Sequence, residues 1–403
     1  MRQSILALVF ALAAGFVLTA GDPAAAFGID PAFPQALLGP VHAKGAVVWS
    51  HGRSIDAEDS QSPTPPYLRV LRDAGWDVLR FDRLRDGDTL TRSTERLVQH
   101  VGELKHMGYR RIVLAGQSFG AFLALMAADA SNEVDAVVAT APAAYGDFDN
   151  FYPTWRMNAT RLYPLLQQVR RARVMLFFFH GDDFDPGGRG VRSRAILAAR
   201  GLGFAVVDQP AYLSGNWASS SGLFLRRFAG CIRDFVDAGR EKGQVDCDPD
   251  WGEAPSADLR LPAELFRVKT VVPVAAAATG ASAPAARPAH TAAAAPASWY
   301  GFYPNGREVL IAIEGVHGHA LDAVYAIGPG IDPNEPAEWA RRKGRIVGDE
   351  FVFAEKGKST LRLNPREGGG LVAVWTAPDG KISMHAALRQ IDPAALLRRT
   401  AQR

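Results

Sequence analysis

The sequence predicts an α/β domain, a mostly parallel sheet with helices on both faces, followed by a small all-β domain, barrel or sandwich. Up to about residue 240, short apolar runs alternate with longer amphipathic stretches. Most of those runs are apolar throughout, as strands covered on both faces are. Beyond residue 297 the period shortens, and Val309, Ile311 and Ile313 recur at every second position, the period of a strand with one buried face.

The elements follow in chain order. Residues 1–26 read as a secretory signal: Arg2 gives the positive start, Ile5 to Leu18 an uninterrupted apolar stretch, and Ala24-Ala25-Ala26 an A-x-A cleavage site. That stretch rises about 21 Å as a helix, short of the roughly 30 Å hydrocarbon core. No stable membrane anchor is therefore expected, and a periplasmic or secreted bacterial protein is. Within 27–270, strands are predicted at Ala46–Trp49, Asp77–Phe81, Arg111–Ala115, Ala136–Thr140, Val174–Phe179 and Gly203–Val207. Leu97, Val101 and Leu104 mark one face of a helix over Leu90–Met107. Residues 271–297, almost entirely Ala, Pro, Val, Thr, Ser and Gly, read as a linker. Turn signals such as Pro304-Asn305-Gly306 and Pro378-Asp379-Gly380 divide residues 298–393 into a meander.

A net charge of +3 with dispersed basic residues excludes an ordinary nucleic-acid binder. The densest early basic cluster, Arg170, Arg171 and Arg173, reads as a solvated helix end. In an oxidising compartment the two cysteines, Cys231 and Cys247, are expected to be bonded to each other. They lack zinc-ligand spacing, and Gly187-Gly188-Arg189-Gly190 does not join a strand to a helix as a phosphate loop does. No metal or cofactor is expected.

The most informative segment is Gly116-Gln117-Ser118-Phe119-Gly120, between the run Arg111–Ala115 and an alanine-rich helix, Ala121 to Ala130. A serine at a strand-to-helix turn, with glycine two residues to either side, fits a nucleophile elbow. With Trp49-Ser50-His51-Gly52-Arg53 and Phe179-His180-Gly181-Asp182-Asp183-Phe184-Asp185-Pro186, the segment resembles the α/β-hydrolase superfamily, nearest the dienelactone-hydrolase-like esterases.

The resemblance implies Ser118 as nucleophile and the backbone N–H groups of Phe119 and Arg53 as oxyanion donors. It implies an acid in the aspartate loop: Asp185, matched to the family's Asp-Pro pair but one residue further from Gly181, with Asp183 and Asp182 as alternatives. It also implies a Gly-His pair before the last helix, where this chain has Gly215-Asn216. Asparagine neither takes nor carries a proton at neutral pH. Of the nine histidines only His51 and His180 fall at strand ends on the site edge, both in His-Gly turns.

The resemblance implies an exported serine hydrolase that cleaves carboxylic esters, its substrate a small-molecule ester or envelope-derived compound; the alternative is a catalytically inactive hydrolase-fold protein that binds a cell-envelope ligand or partner. Residues 142–173, with Tyr145, Phe148, Phe151, Tyr152, Trp155 and Tyr163, are expected to form a lid or to pack on the sheet. Trp299, Tyr300, Tyr303, Trp339 and Trp375 are expected to line a carbohydrate-binding face or to fill the second domain's core.

Overall fold

The computed structural model describes residues 27–53, 63–83, 88–144, 151–184, 188–239, 241–247, 251–265, 297–393 and 396, with the backbone alone for 151–155. The signal segment, Asp185 and nearly all of the linker lie outside the described residues.

An eight-stranded sheet contains β1 (Phe27–Pro31), β2 (Ala46–Ser50), β3 (Asp77–Arg83), β4 (Ile112–Gln117), β5 (Ala136–Thr140), β6 (Arg173–Phe178), β7 (Gly203–Asp208) and β8 (Gly243–Gln244), in the order β1-β3-β2-β4-β5-β6-β7-β8. Every pairing is parallel except that of the edge strand β1 with β3. All six predicted strands are present, and β1 and β8 are additional.

The apolar runs are explained by alternation between two cores. Val48, Leu114, Val137 and Leu176 face one side, with α2 (Leu90–His106), α3 (Phe119–Ala130), α4 (Phe151–Gln168) and α5 (Arg189–Arg200). Val47, Val113, Val138 and Phe177 face the other, with α1 (Leu68–Asp73) and α6 (Gly222–Asp237). Both faces of the sheet are covered, so the buried strand centres are apolar, and buried polar residues such as Asp77, Arg83, Gln117, Thr140 and Arg173 fall at strand ends.

α6 is fixed at both ends. Ser221 caps its start, the hydroxyl accepting from the Phe224 N–H at 3.1 Å. Its last carbonyls, which no intrahelical N–H can reach, accept from Arg111 at Val236 and Asp237 and from Arg173 at Phe235 and Ala238. Arg173 is therefore turned inward and buried, not part of a solvated basic cluster. Cys231 of α6 is bonded to Cys247, Cα to Cα 5.8 Å.

The described side chains of α4 pack on the sheet, one of the two expectations for this segment. Leu162, Leu165 and Leu166 join the sheet core, and Tyr163 lies under the Arg192 guanidinium. Tyr145 and Phe148 lie outside the described residues, as do the side chains of Phe151, Tyr152 and Trp155.

The second domain is a closed antiparallel barrel of β9 (Ala297–Phe302), β10 (Glu308–His317), β11 (Ala320–Ile327), β12 (Glu338–Val347), β13 (Glu350–Phe353), β14 (Thr360–Pro365), β15 (Leu371–Thr376) and β16 (Ser383–Ile391), β16 pairing back onto β9. The barrel alternative is thus the one adopted. Its interior is filled by Trp299, Tyr303, Ile311, Tyr325 and Leu363 among others. Tyr300 is also buried, so these three aromatics of the expected binding face are core, while Trp339 remains exposed.

Alternate residues of β9 to β11, including Tyr300, Phe302, Leu310 and Val324, join the core that holds Leu223 and Phe224 of α6. At this junction Glu308, 1% exposed, accepts from the Tyr300 hydroxyl at 2.6 Å, the Ser256 N–H at 2.7 Å, the Ser256 hydroxyl, and Arg226 at 3.3 Å.

Candidate active site

The carboxyl ends of β2, β4, β5 and β6 lie side by side, with Ser50 opposite Gly116, Gln117 opposite Thr140 and Thr140 opposite Phe177. Ligands of parallel α/β sheets bind at this edge. Ser118 follows β4 and caps α3 with φ +53° and ψ −118°, a conformation that side chains rarely adopt. Hydrogen bonds hold it there: its N–H donates to the Thr140 carbonyl, and its own carbonyl accepts from Ala121, Phe122 and Ala143.

The flanking glycines are required by close approach. A Cβ on Gly116 would lie 2.3 Å from the Gly120 carbonyl oxygen, and one on Gly120 would lie 2.1 Å from that of Ser50. A strained serine at a glycine-cradled turn, after a central parallel strand of this sheet order, decides the fold.

The N-terminal domain has the α/β-hydrolase fold.

No protein-family profile and no curated protein matches the sequence. Solved structures similar to this chain include an esterase of Pyrococcus furiosus, 15% identical over 49% of this chain and 85% of that one, TM-score 0.38. Est1E of Butyrivibrio proteoclasticus is 16% identical over 52% and 91%, TM-score 0.37. The dienelactone hydrolase of Anabaena variabilis is 20% identical over 50% and 89%, TM-score 0.33. At such scores the fold assignment rests on the strand order and the elbow, not on these likenesses.

The His51-Gly52-Arg53 loop runs against the elbow of the hydrolase-fold domain. A Cβ on Gly52 would lie 3.3 Å from that of Ser118 and 2.4 Å from Gln117 Oε1. Buried Arg83 holds the loop by donating one nitrogen to both the His51 and Gly52 carbonyls, at 2.9 and 3.0 Å. It is itself paired with Asp88 at 3.1 Å. Because a trans peptide points its C=O and N–H in opposite directions, the N–H groups of Gly52 and Arg53 face away from Arg83. The Arg53 and Arg83 guanidiniums each lie over the Phe119 ring, 5.7 and 5.4 Å from its centroid. As the first residue of α3, Phe119 carries an N–H that no intrahelical carbonyl can take.

Asn216 follows β7, in the loop before α6, and this loop is joined to the aspartate loop. His180 bridges to Ser214, and its carbonyl accepts the Gly215 N–H at 2.9 Å. Asn216 Nδ2 donates to Asp182 Oδ1 at 3.1 Å. Its Oδ1 accepts from Gln117 Nε2, which also donates to the Asn216 carbonyl at 3.1 Å. Of the two aspartates of this loop among the described residues, buried Asp182 is the one brought to residue 216, and its Oδ1 also accepts the Phe184 N–H at 3.0 Å. Asp183 is exposed, and Asp185 lies outside the described residues.

Among the described residues the Ser118 hydroxyl, 8% exposed, has no hydrogen-bond partner. Histidine does not supply one. His51 is buried, and desolvation, followed by the charge of Arg83, lowers its pKa to about 2. So weak a base does not draw a proton from a serine hydroxyl. The His180, His317, His319 and His385 side chains are exposed. Among the described residues no group of three or more His, Cys, Asp or Glu side chains could hold a metal ion.

The roles of Gln117 and Arg83 had no sequence signal. Gln117 meets its partner 99 positions away, and Arg83 reaches the loop from 32 positions away.

Proposed function

We propose that the hydrolase-fold domain binds an ester-type carbonyl compound at Ser118 and holds it without turning it over at the rate of a complete triad. The observation that carries this reading is the Asn216–Asp182 bond. The carboxamide faces the acid with a donor, as a triad imidazole would, and has no basic nitrogen to offer on its other side. Oxyanion donors and binding without the histidine leave roughly 10³- to 10⁴-fold acceleration over water in a subtilisin-type site. Here the donors would be the Phe119 and Arg53 N–H groups, an arrangement suited by the grip of Arg83 on the loop carbonyls.

A working serine hydrolase is the second reading, and one feature favours it: Ser118 holds the strained elbow conformation, which costs about 1–3 kcal/mol. Export is part of the proposal, since the apolar run at 5–18 and the Cys231–Cys247 bond suit an oxidising compartment.

The readings separate in one experiment with p-nitrophenyl butyrate and a fluorophosphonate probe on the full chain. The binding reading expects turnover no faster than that of Ser118→Ala, no phosphonylated Ser118, and a raised melting temperature with a ketone analogue of the ester. Turnover and labelling that both vanish in Ser118→Ala would establish the hydrolase instead.

A further inference from the structure

Gln117 is the one elbow side chain that crosses to the opposite loop. It is 1% exposed and donates twice to residue 216. The carboxylate at the end of the row fixes both amide orientations. A carboxylate accepts and does not donate, so Asn216 gives Asp182 its Nδ2 and keeps Oδ1 for the other side. Gln117 must then present its NH₂ there. Gly52 makes room for this pose, since a Cβ at that position would meet Gln117 Oε1 at 2.4 Å.

We propose that Gln117 is a positioning residue for residue 216: its NH₂ donates to the acceptor side of that residue, where an imidazole in its place would carry the lone pair that a serine base needs. The inference rests on the binding reading above and deepens it, because an imidazole restored at residue 216 would then have its lone pair contested by Gln117. An imidazole introduced by Asn216→His would give Nδ1–H to Asp182. The Gln117 NH₂ and the Ser118 hydroxyl would then compete for its remaining lone pair. A hydrogen bond donated to that nitrogen stabilises the neutral ring and lowers its pKa.

The test is the rate of fluorophosphonate labelling against pH in the full chain. In the reaction the Ser118 Oγ–P bond forms, the P–F bond breaks with loss of fluoride, and the hydroxyl proton passes to the introduced imidazole. The variants are Asn216→His, Gln117→Met, which keeps shape and removes the donor, and the two combined. Gln117→Leu repeats the comparison with a second shape if the methionine variant melts low. The proposal expects the double variant to label at least about tenfold faster than Asn216→His alone, with a rate that rises through an apparent pKa near the ordinary histidine value of about 6.5. Gln117→Met alone should not label. Equal rates in Asn216→His and the double variant, or no labelling in either when both melt like wild type, would overturn it. Labelling of wild type at Ser118 would instead overturn the binding reading.

Discussion

The carboxamide of Asn216 donates to the carboxylate of Asp182 across 3.1 Å, at the edge of the sheet where Ser118 turns from β4 into α3. On the proposed reading these are the acid arm and the nucleophile arm of a hydrolase-type site, and an asparagine standing where the base would be cannot move a proton. Backbone contacts keep this geometry, through the His180–Ser214 bridge and the capped start of α6.

The strain at Ser118 is measurable without any substrate. Ser118→Ala keeps a side chain at φ +53°, and Ser118→Gly releases it. The glycine variant should be more stable than the alanine variant by about 1 kcal/mol, both lacking the hydroxyl. Urea melts of the pair check this. Equal stability would mean that position 118 is relaxed in solution.

Close approach at the elbow gives a second contrast. Gly120→Ala drives a Cβ toward the Ser50 and His51 carbonyl oxygens, at 2.1 and 2.5 Å, and should cost about 3 kcal/mol or more. Gly230→Ala, in the interior of α6 with nothing within 4 Å of the added atom, should stabilise by about 0.5–1 kcal/mol. Thermal melts of the two variants should therefore move in opposite directions.

Much of this architecture was legible from side-chain pattern. The six central strands could be read because both neighbouring layers are apolar, which leaves runs such as Val47-Val48 and Phe177-Phe178 with no polar interruption. β1 was not legible, since an edge strand of five residues ending in Pro31 carries little apolar signal. β12 was hidden for the opposite reason. Its solvent-facing character brings Arg341, Arg342, Lys343 and Arg345 into one strand, and charge masks the alternation. Ser118 and Asn216 could be placed from motif spacing. The pairing of Asp182 with Asn216 and the crossing of Gln117 could not, because both depend on contacts between segments far apart in the chain.

Burial of His51 gives the fold a pH dependence. Its folded-state pKa of about 2 lies below the ordinary 6.5, so the unfolded chain binds a proton that the native state refuses. The stability from this residue is fully present above pH 6.5 and is lost as pH falls from there toward 2. The slope is at most about 1.4 kcal/mol per pH unit. Urea melts between pH 6.5 and 5, above most carboxylate titration, should show that decline in wild type and a flatter profile in His51→Gln. Identical slopes would contradict the burial argument.

The two domains should unfold together. Glu308→Ala leaves the Tyr300, Ser256 and Arg226 donors without their shared acceptor at the junction. A loss of about 3 kcal/mol is expected. Calorimetry should show one transition in wild type and two in the variant, with the barrel's own core intact. A single unshifted transition in Glu308→Ala would mean that the junction contributes nothing to cooperativity.

The measurement closest to the central claim is the intact mass of the wild-type chain after prolonged exposure to a fluorophosphonate at neutral pH. If Asn216 stands in the place of the base, as proposed, the mass should stay unchanged and equal to that of Ser118→Ala treated in parallel. A stoichiometric adduct mapped to Ser118 would contradict the claim and make the protein a hydrolase with a base supplied from elsewhere.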